Sequence, residues 1–159
     1  MEWYDIEYWL KHFDLHLDPR ELLYSRKHNI VVYPETWSVI ENLSTDHRLI
    51  IISNAAREFI EIEIGELESS FAETFSSVSD FHQTKKEADL YLKLCHSLKI
   101  RPGQLYHVGD NYVFDYLVPR EVGINAFYLD RDKQRTGEYV VRSLKEFEEK
   151  IKCLNEEGL

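Results

Sequence analysis

Four consecutive aliphatic residues, Leu49-Ile50-Ile51-Ile52, constrain the fold more than any other stretch of this chain. With no polar side chain to turn toward water on either face, the run predicts a strand covered on both sides, the situation of strands in a parallel sheet flanked by helices. Ser53-Asn54 closes the run, and Ile60, Ile64 and Leu67 follow at helical spacing. The unit reads as strand, turn and helix.

The same alternation continues toward the C-terminus. Phe75 to Val78 predicts a short strand, and Thr84-Lys85-Lys86-Glu87 has the form of a capping box opening a helix with Ala88, Tyr91, Leu92, Cys95 and Leu98 on one side. Pro102-Gly103 ends that helix in a turn, Leu105 to Val108 forms the next strand, and Gly109-Asp110 is its exit. A helix including Tyr116 and Val122 leads through Gly123 into a last strand, Asn125 to Leu129, and Ser143 with Glu146 caps a final helix. Ahead of all this, Trp3, Ile6, Leu10 and Phe13 recur at helical spacing, and Asp18-Pro19-Arg20-Glu21 supplies an N-cap, a proline at the first helical position and a capping-box glutamate. An extended run, Ile30 to Tyr33, ends at Pro34, and Trp37, Ile40 and Leu43 mark one more amphipathic helix. The expected fold is α/β, a doubly wound parallel sheet with a helical N-terminal appendage.

Composition narrows the function classes. A chain of 159 residues, 43 % apolar, suits one globular domain with a real core. Its formal charge of -10, with no Lys/Arg-rich run, argues against a nucleic-acid partner. No apolar stretch reaches the length of a membrane span, and Glu2 and Asp5 are unlike the basic start of a signal peptide, so a cytoplasmic protein without membrane association is expected. Cys95 and Cys153 stand far apart with no cysteine or histidine cluster, which fits neither a disulfide framework nor zinc. His12 and His16 have the i, i+4 spacing of a metal pair but no third ligand, so a surface role is expected, and His107 within a strand reads as a packed or hydrogen-bonded core histidine.

Ligands of an open parallel sheet bind beyond the carboxyl ends of its strands, and Ser53, Lys85 and Asp110 stand at such ends. Each has a plain structural reading: Ser53 as a helix cap, Lys85 as a solvated first-turn lysine, Gly109-Asp110 as a tight turn. Taken together they describe a phosphoryl-transfer site. A hydroxyl and free helix amides hold phosphoryl oxygens, a lysine neutralises developing charge, and a carboxylate ligates magnesium.

In order and spacing these residues resemble the haloacid dehalogenase (HAD) hydrolase superfamily. LIIISNA is similar to its second motif, placing Ser53 and Asn54 in phosphate binding; TKKEADLYLKLC is similar to the third-motif region, with Lys85 as the functional lysine, Tyr91 on the aromatic position, and Lys86 where proline is common. LYHVGDNYVFD resembles the fourth motif, which assigns Asp110 to magnesium and Asp115 to supporting the lysine or the metal shell. The resemblance implies a HAD-like Rossmannoid core over residues 31–159, preceded by a partial helical cap over residues 1–30.

One motif departs from the family. The Asp-x-Asp that ends the first, central strand, bearing the nucleophile and the general acid/base, is expected to stand before Met1. The chain is therefore expected to be a truncated and catalytically incompetent hydrolase whose flanking strands pair directly, or whose Ile30 to Tyr33 run fills the place of the central strand. Asp130-Arg131-Asp132 imitates the motif but reads as a solvated loop. The expected activity of a complete protein is phosphatase-type hydrolysis of a small phosphorylated or anionic substrate. The alternatives are an inactive anion-binding scaffold, and an oligomer or assembly in which a complementing N-terminal segment supplies the strand.

Overall fold

A computed structural model describes residues 6–156; the helical position read at Trp3 lies outside them. The chain divides into two compact units, Met1–Pro34 with Ile40–Lys85, and Glu35–Val39 with Lys86–Leu159.

The first unit opens with helices α1 (Ile6–His12) and α2 (Pro19–Ser25). The N-terminus of α2 forms as its sequence demands: Asp18 Oδ1 accepts from the amides of Arg20, 2.8 Å, and Glu21, 3.1 Å, and Pro19 occupies the first turn, where a missing N–H costs nothing. Residues 30–33 form no strand, contrary to their apolar content, because their backbone finds no ladder partner among the described residues; Val31 is 85 % exposed. Helix α3 (Thr36–Ser44) crosses the division between the units.

Strand β1 (Ile50–Ser53) runs parallel to β2 (Glu73–Ser76), with Ile50 opposite Glu73 and Ser53 opposite Ser76. Helix α4 (Arg57–Ile64) connects them and buries Ile60 and Ile62. The isoleucines of β1 are half-buried, whereas an unbroken apolar run predicts cover on both faces. Among the described residues β1 is hydrogen-bonded on its β2 side alone.

The second unit is built on α5 (Ala88–Leu98), β3 (Tyr106–Gly109), α6 (Val118–Glu121), β4 (Asn125–Leu129), β5 (Val140–Val141) and α7 (Leu144–Glu156). Helix α5 starts at Ala88, after an uncapped Glu87, and not at Thr84; Lys86 is drawn inward instead of forming part of a first turn. Its buried face is Leu90, Tyr91, Leu94, Cys95 and Leu98, while Leu92 is half exposed. That set is a single stripe at 3.6-residue periodicity.

The three strands lie in the order β3-β4-β5, all parallel, with Gly109 opposite Tyr128 and Leu129 opposite Val141. Strand β5 is two residues long, too short to carry a periodic signal, yet Val141 is fully buried with Phe127, Phe147 and Ile151. Ser143 caps α7: its Oγ accepts from the Glu146 amide, 3.2 Å, while Glu146 reaches back to the Arg142 amide, 2.7 Å.

Every strand pairing is parallel, and helices separate β1 from β2, β2 from β3 and β3 from β4, so the architecture is α/β with a helical N-terminal portion. The described strands form two hydrogen-bonded sheets, β1-β2 and β3-β4-β5. Among the described residues no helix is long and apolar enough to cross a membrane.

Candidate active site

The carboxyl end of β3 is shaped around one buried carboxylate. After Gly109 the chain turns through Asp110 and Asn111 into a π-helical turn, Tyr112–Leu117, whose wider winding is a frequent device at functional sites. Asn111 caps that turn, Oδ1 accepting from the amides of Val113, 3.1 Å, and Phe114, 2.9 Å. The turn folds Asp115 back against β3, where its Oδ2 accepts from the Asn111 amide, 3.1 Å. A Cβ added at Gly109 would stand 2.5 Å from the Asp115 Cγ, so glycine here is a requirement of close approach.

Asp115 is 3 % exposed and is held from three sides. Its Oδ1 is ion-paired to the Lys86 ammonium, itself 7 % exposed, and lies 3.4 Å from His107 Nε2. His107 Nε2 is also 3.1 Å from the Tyr91 hydroxyl oxygen. The single Tyr91 hydrogen goes to the Phe114 carbonyl, 2.7 Å, so Nε2 must carry the proton that reaches the Tyr91 oxygen and Asp115. Burial holds the imidazole neutral by lowering its pKa, against the raising influence of Asp115. For Asp115 burial acts upward, but the hydrogen bond from His107 and the Lys86 charge outweigh it and bring the carboxyl to about 2. Tyr91 is pushed upward by burial and by the Asp115 charge and stays protonated.

The lysine that meets Asp115 is thus Lys86, one residue beyond the Lys85 singled out from sequence; Lys85 is exposed. The segment before α5 is not helical: Thr84 and Lys85 lie in a bend, and of the two neighbouring lysines Lys86 is the one turned inward.

Asp110 is exposed and makes no ion pair or hydrogen bond among the described residues. It suits magnesium chemically, as a hard oxygen donor, whereas both Asp115 oxygens are already engaged. Among the described residues no group of three acidic, histidine or cysteine side chains is clustered for a metal.

In the first unit, the exit of β1 is a polar turn. Ser53 Oγ accepts from the Ala55 amide, 3.1 Å, and is not the cap of α4, which begins after Ala56. The Ser53 hydroxyl hydrogen has no acceptor among the described residues. Asn54 Oδ1 accepts from Ser77 Oγ, 3.1 Å. Arg57, at the start of α4, is engaged by the Asp80 carboxylate and the Thr74 carbonyl. Of the residues singled out from sequence, Ser53, Asn54 and Lys85 belong to the first unit, and Asp110 and Asp115 to the second with Lys86.

Asp130 is not in a solvated loop. It is 3 % exposed, and its Oδ2 accepts from the Arg135 amide, 2.6 Å, and from Arg142 Nη1, 2.6 Å. Those donors, the Arg135 amide foremost, lower its pKa against the opposing effect of burial. A carboxylate so engaged braces the chain after β4 and is no free nucleophile. His12 and His16 are exposed; Cys95 is buried and Cys153 exposed, both as free thiols. Sequence reasoning missed Lys86 as the inward lysine and Ser77 as the partner of Asn54; neither contact has a local signal.

A family model described as a haloacid dehalogenase-like hydrolase matches residues 7–123. Among solved structures, the HAD phosphatase from Thermococcus onnurineus is 27 % identical, with TM-score 0.81 over 94 % of this chain and 72 % of that one. A haloacid dehalogenase-like hydrolase from Xanthomonas campestris shares 11 % identity at TM-score 0.69, over 96 % of this chain and 70 % of the other. The 2-haloacid dehalogenase from Pseudomonas syringae pv. Tomato DC3000 shares 19 % at TM-score 0.69, over 89 % and 66 %. Likenesses at those two lower identities speak for the fold alone. No curated protein matches the chain.

Proposed function

Because the chain belongs to the haloacid dehalogenase-like hydrolase family, we propose that it carries the anion-holding and charge-balancing parts of a phosphatase-type site. The observation that carries this reading is the buried Lys86–Asp115 pair behind Gly109-Asp110. An ammonium and a carboxylate are costly to bury, and replacing such a pair by apolar side chains is commonly neutral or stabilising, so its presence at a strand exit speaks for function. Asp115 fixes the ammonium in place, and Lys86 offers its remaining hydrogens to an oxyanion. Ser53 contributes a hydroxyl donor and Asn54 an amide donor at the β1 exit. Asp110 is the proposed magnesium ligand, and magnesium, when bound, supplies Lewis-acid stabilisation of phosphoryl oxygens. Phosphatase is favoured over dehalogenase because the 27 % identical relative is a HAD phosphatase, whereas the dehalogenases among the solved structures share 16–23 %.

The aspartates nearest the carboxyl ends of the described strands are already engaged or assigned. Of the aspartates following strands, Asp130 is buried against Arg142, Asp80 is paired with Arg57, and Asp110 is assigned to the metal. This favours a second reading, in which the chain holds a small phosphorylated or other anion without turnover, or acquires the nucleophile from a complementing segment that adds a strand to the unpaired edge of β1 or β3.

Magnesium-dependent hydrolysis of p-nitrophenyl phosphate separates these readings when measured on the chain and on a form extended at its N-terminus by a strand ending in Asp-x-Asp. The expected result is no turnover by the chain and turnover by the extended form, lost on Lys86→Met. Turnover by the chain alone overturns the statement about the nucleophile. Inactivity of both leaves anion binding without catalysis as the function.

A further inference from the structure

Resting on the reading that the β1 exit holds an oxyanion, we propose that Ser77 is a positioning residue that sets the side-chain amide of Asn54 as a donor toward that anion. Ser77 follows β2 directly and is fully buried, at 0 % exposure. Its amide donates to the Ser53 carbonyl, 2.8 Å, extending the β1–β2 ladder one residue past the strands. Its hydroxyl carries one hydrogen, and that hydrogen goes to Asn54 Oδ1, 3.1 Å.

The chemical consequence follows from the symmetry of a primary amide. The carbonyl and NH2 ends have nearly the same size, so packing alone does not choose between them; a hydrogen bond does. With Oδ1 committed to Ser77, the NH2 end is left, and it has no hydrogen bond to another described residue. An NH2 group stabilises an oxyanion, whereas a carbonyl oxygen turned the same way repels it. The fixed amide and the unspent Ser53 hydroxyl hydrogen are then two neutral donors on successive residues.

The surrounding contacts show that the chain after β2 grips the turn after β1. Ser76 Oγ donates to the Ala55 carbonyl, 2.7 Å, and Ser79 Oγ accepts from the Arg57 amide, 3.0 Å. The Ser76 amide donates to Asp80 Oδ2, 2.8 Å, which also engages the Arg57 guanidinium. The nearby positive charge is thereby balanced within the turn. Recognition at this exit falls to neutral donors, and Ser77 decides which way one of them faces.

Titration with inorganic phosphate, followed by the backbone and Asn54 side-chain amide signals in 1H–15N NMR, tests the proposal on the full chain, Ser77→Ala, Ser77→Thr and Asn54→Asp. The unaltered chain should show phosphate-dependent shifts of the Asn54 NH2 pair. Ser77→Ala should weaken phosphate about tenfold, the scale of one hydrogen bond to a charged group partly lost, and broaden the Asn54 NH2 pair while distant backbone signals stay in place. Ser77→Thr, which keeps the hydroxyl, should restore binding, and Asn54→Asp should abolish it. Phosphate affinity unchanged in Ser77→Ala, or Asn54 NH2 signals unmoved while Ser53 responds, overturns the role of Ser77 and leaves the oxyanion reading intact. No phosphate response at the β1 exit of the unaltered chain overturns both.

Discussion

Asp115→Asn is the substitution whose cost the structure specifies most closely. The Asp115 carboxyl falls from an ordinary 3.8 to about 2, and at 1.36 kcal/mol per pH unit this corresponds to about 2 kcal/mol of preference for the charged form in the folded protein. Asparagine forfeits that preference and also strands the Lys86 ammonium at 7 % exposure, and removing one partner of a buried pair costs about 3–5 kcal/mol in all. The loss should be read as a lower midpoint in urea denaturation at pH 7, followed by far-UV circular dichroism.

Two controls isolate the cause. Lys86→Met in the same chain removes the stranded charge while keeping an unbranched apolar side chain, so the double variant should recover at least half of the loss. The sign of the pH dependence is also determined: a depressed carboxyl stabilises above its unfolded value of 3.8 and ceases to do so as pH falls toward about 2. The gap between the unaltered chain and Asp115→Asn should therefore close across that interval. A single variant within about 0.5 kcal/mol of the parent, the range of ordinary surface substitutions, would refute the reasoning, as would a double variant no more stable than the single.

Gly109→Ala should lower the thermal midpoint by about 2–12 °C, since the new Cβ meets Asp115 Cγ at 2.5 Å and overpacking of this kind costs about 1–3 kcal/mol; differential scanning calorimetry reads it. Ser143→Ala removes the acceptor of the Glu146 amide and should cost about 1 kcal/mol in the same urea assay, with no change in phosphate binding.

Strand and helix identity was legible wherever a local pattern carries it. Asn125–Leu129 is the strand its sequence predicts, the Asp18-Pro19 start of α2 is made by a side chain two residues from its target, and Ser143 caps α7. What failed depended on partners distant in sequence. Residues 30–33 have the composition of a strand but no ladder to join, and Val140–Val141 lacks the length to be noticed yet is placed by β4. Thr84 to Glu87 satisfies a capping pattern that the fold declines: α5 starts at Ala88, and Lys86 lies ahead of it, paired with Asp115.

The candidate site divides along the same line. Ser53 and Asp110 could be singled out because each follows a strand that announces itself, and Asn54 and Asp115 through the resemblance of the motifs around them. The choice between Lys85 and Lys86 could not, because which of two adjacent cations turns inward depends on where the Asp115 carboxylate, distant in sequence, is held. That carboxylate is held by Gly109, Asn111 and His107, all within eight residues of it. The buried aspartate is therefore set by its own neighbourhood and selects the lysine, so the pair should be understood from Asp115 outward, with Lys86 as the residue recruited.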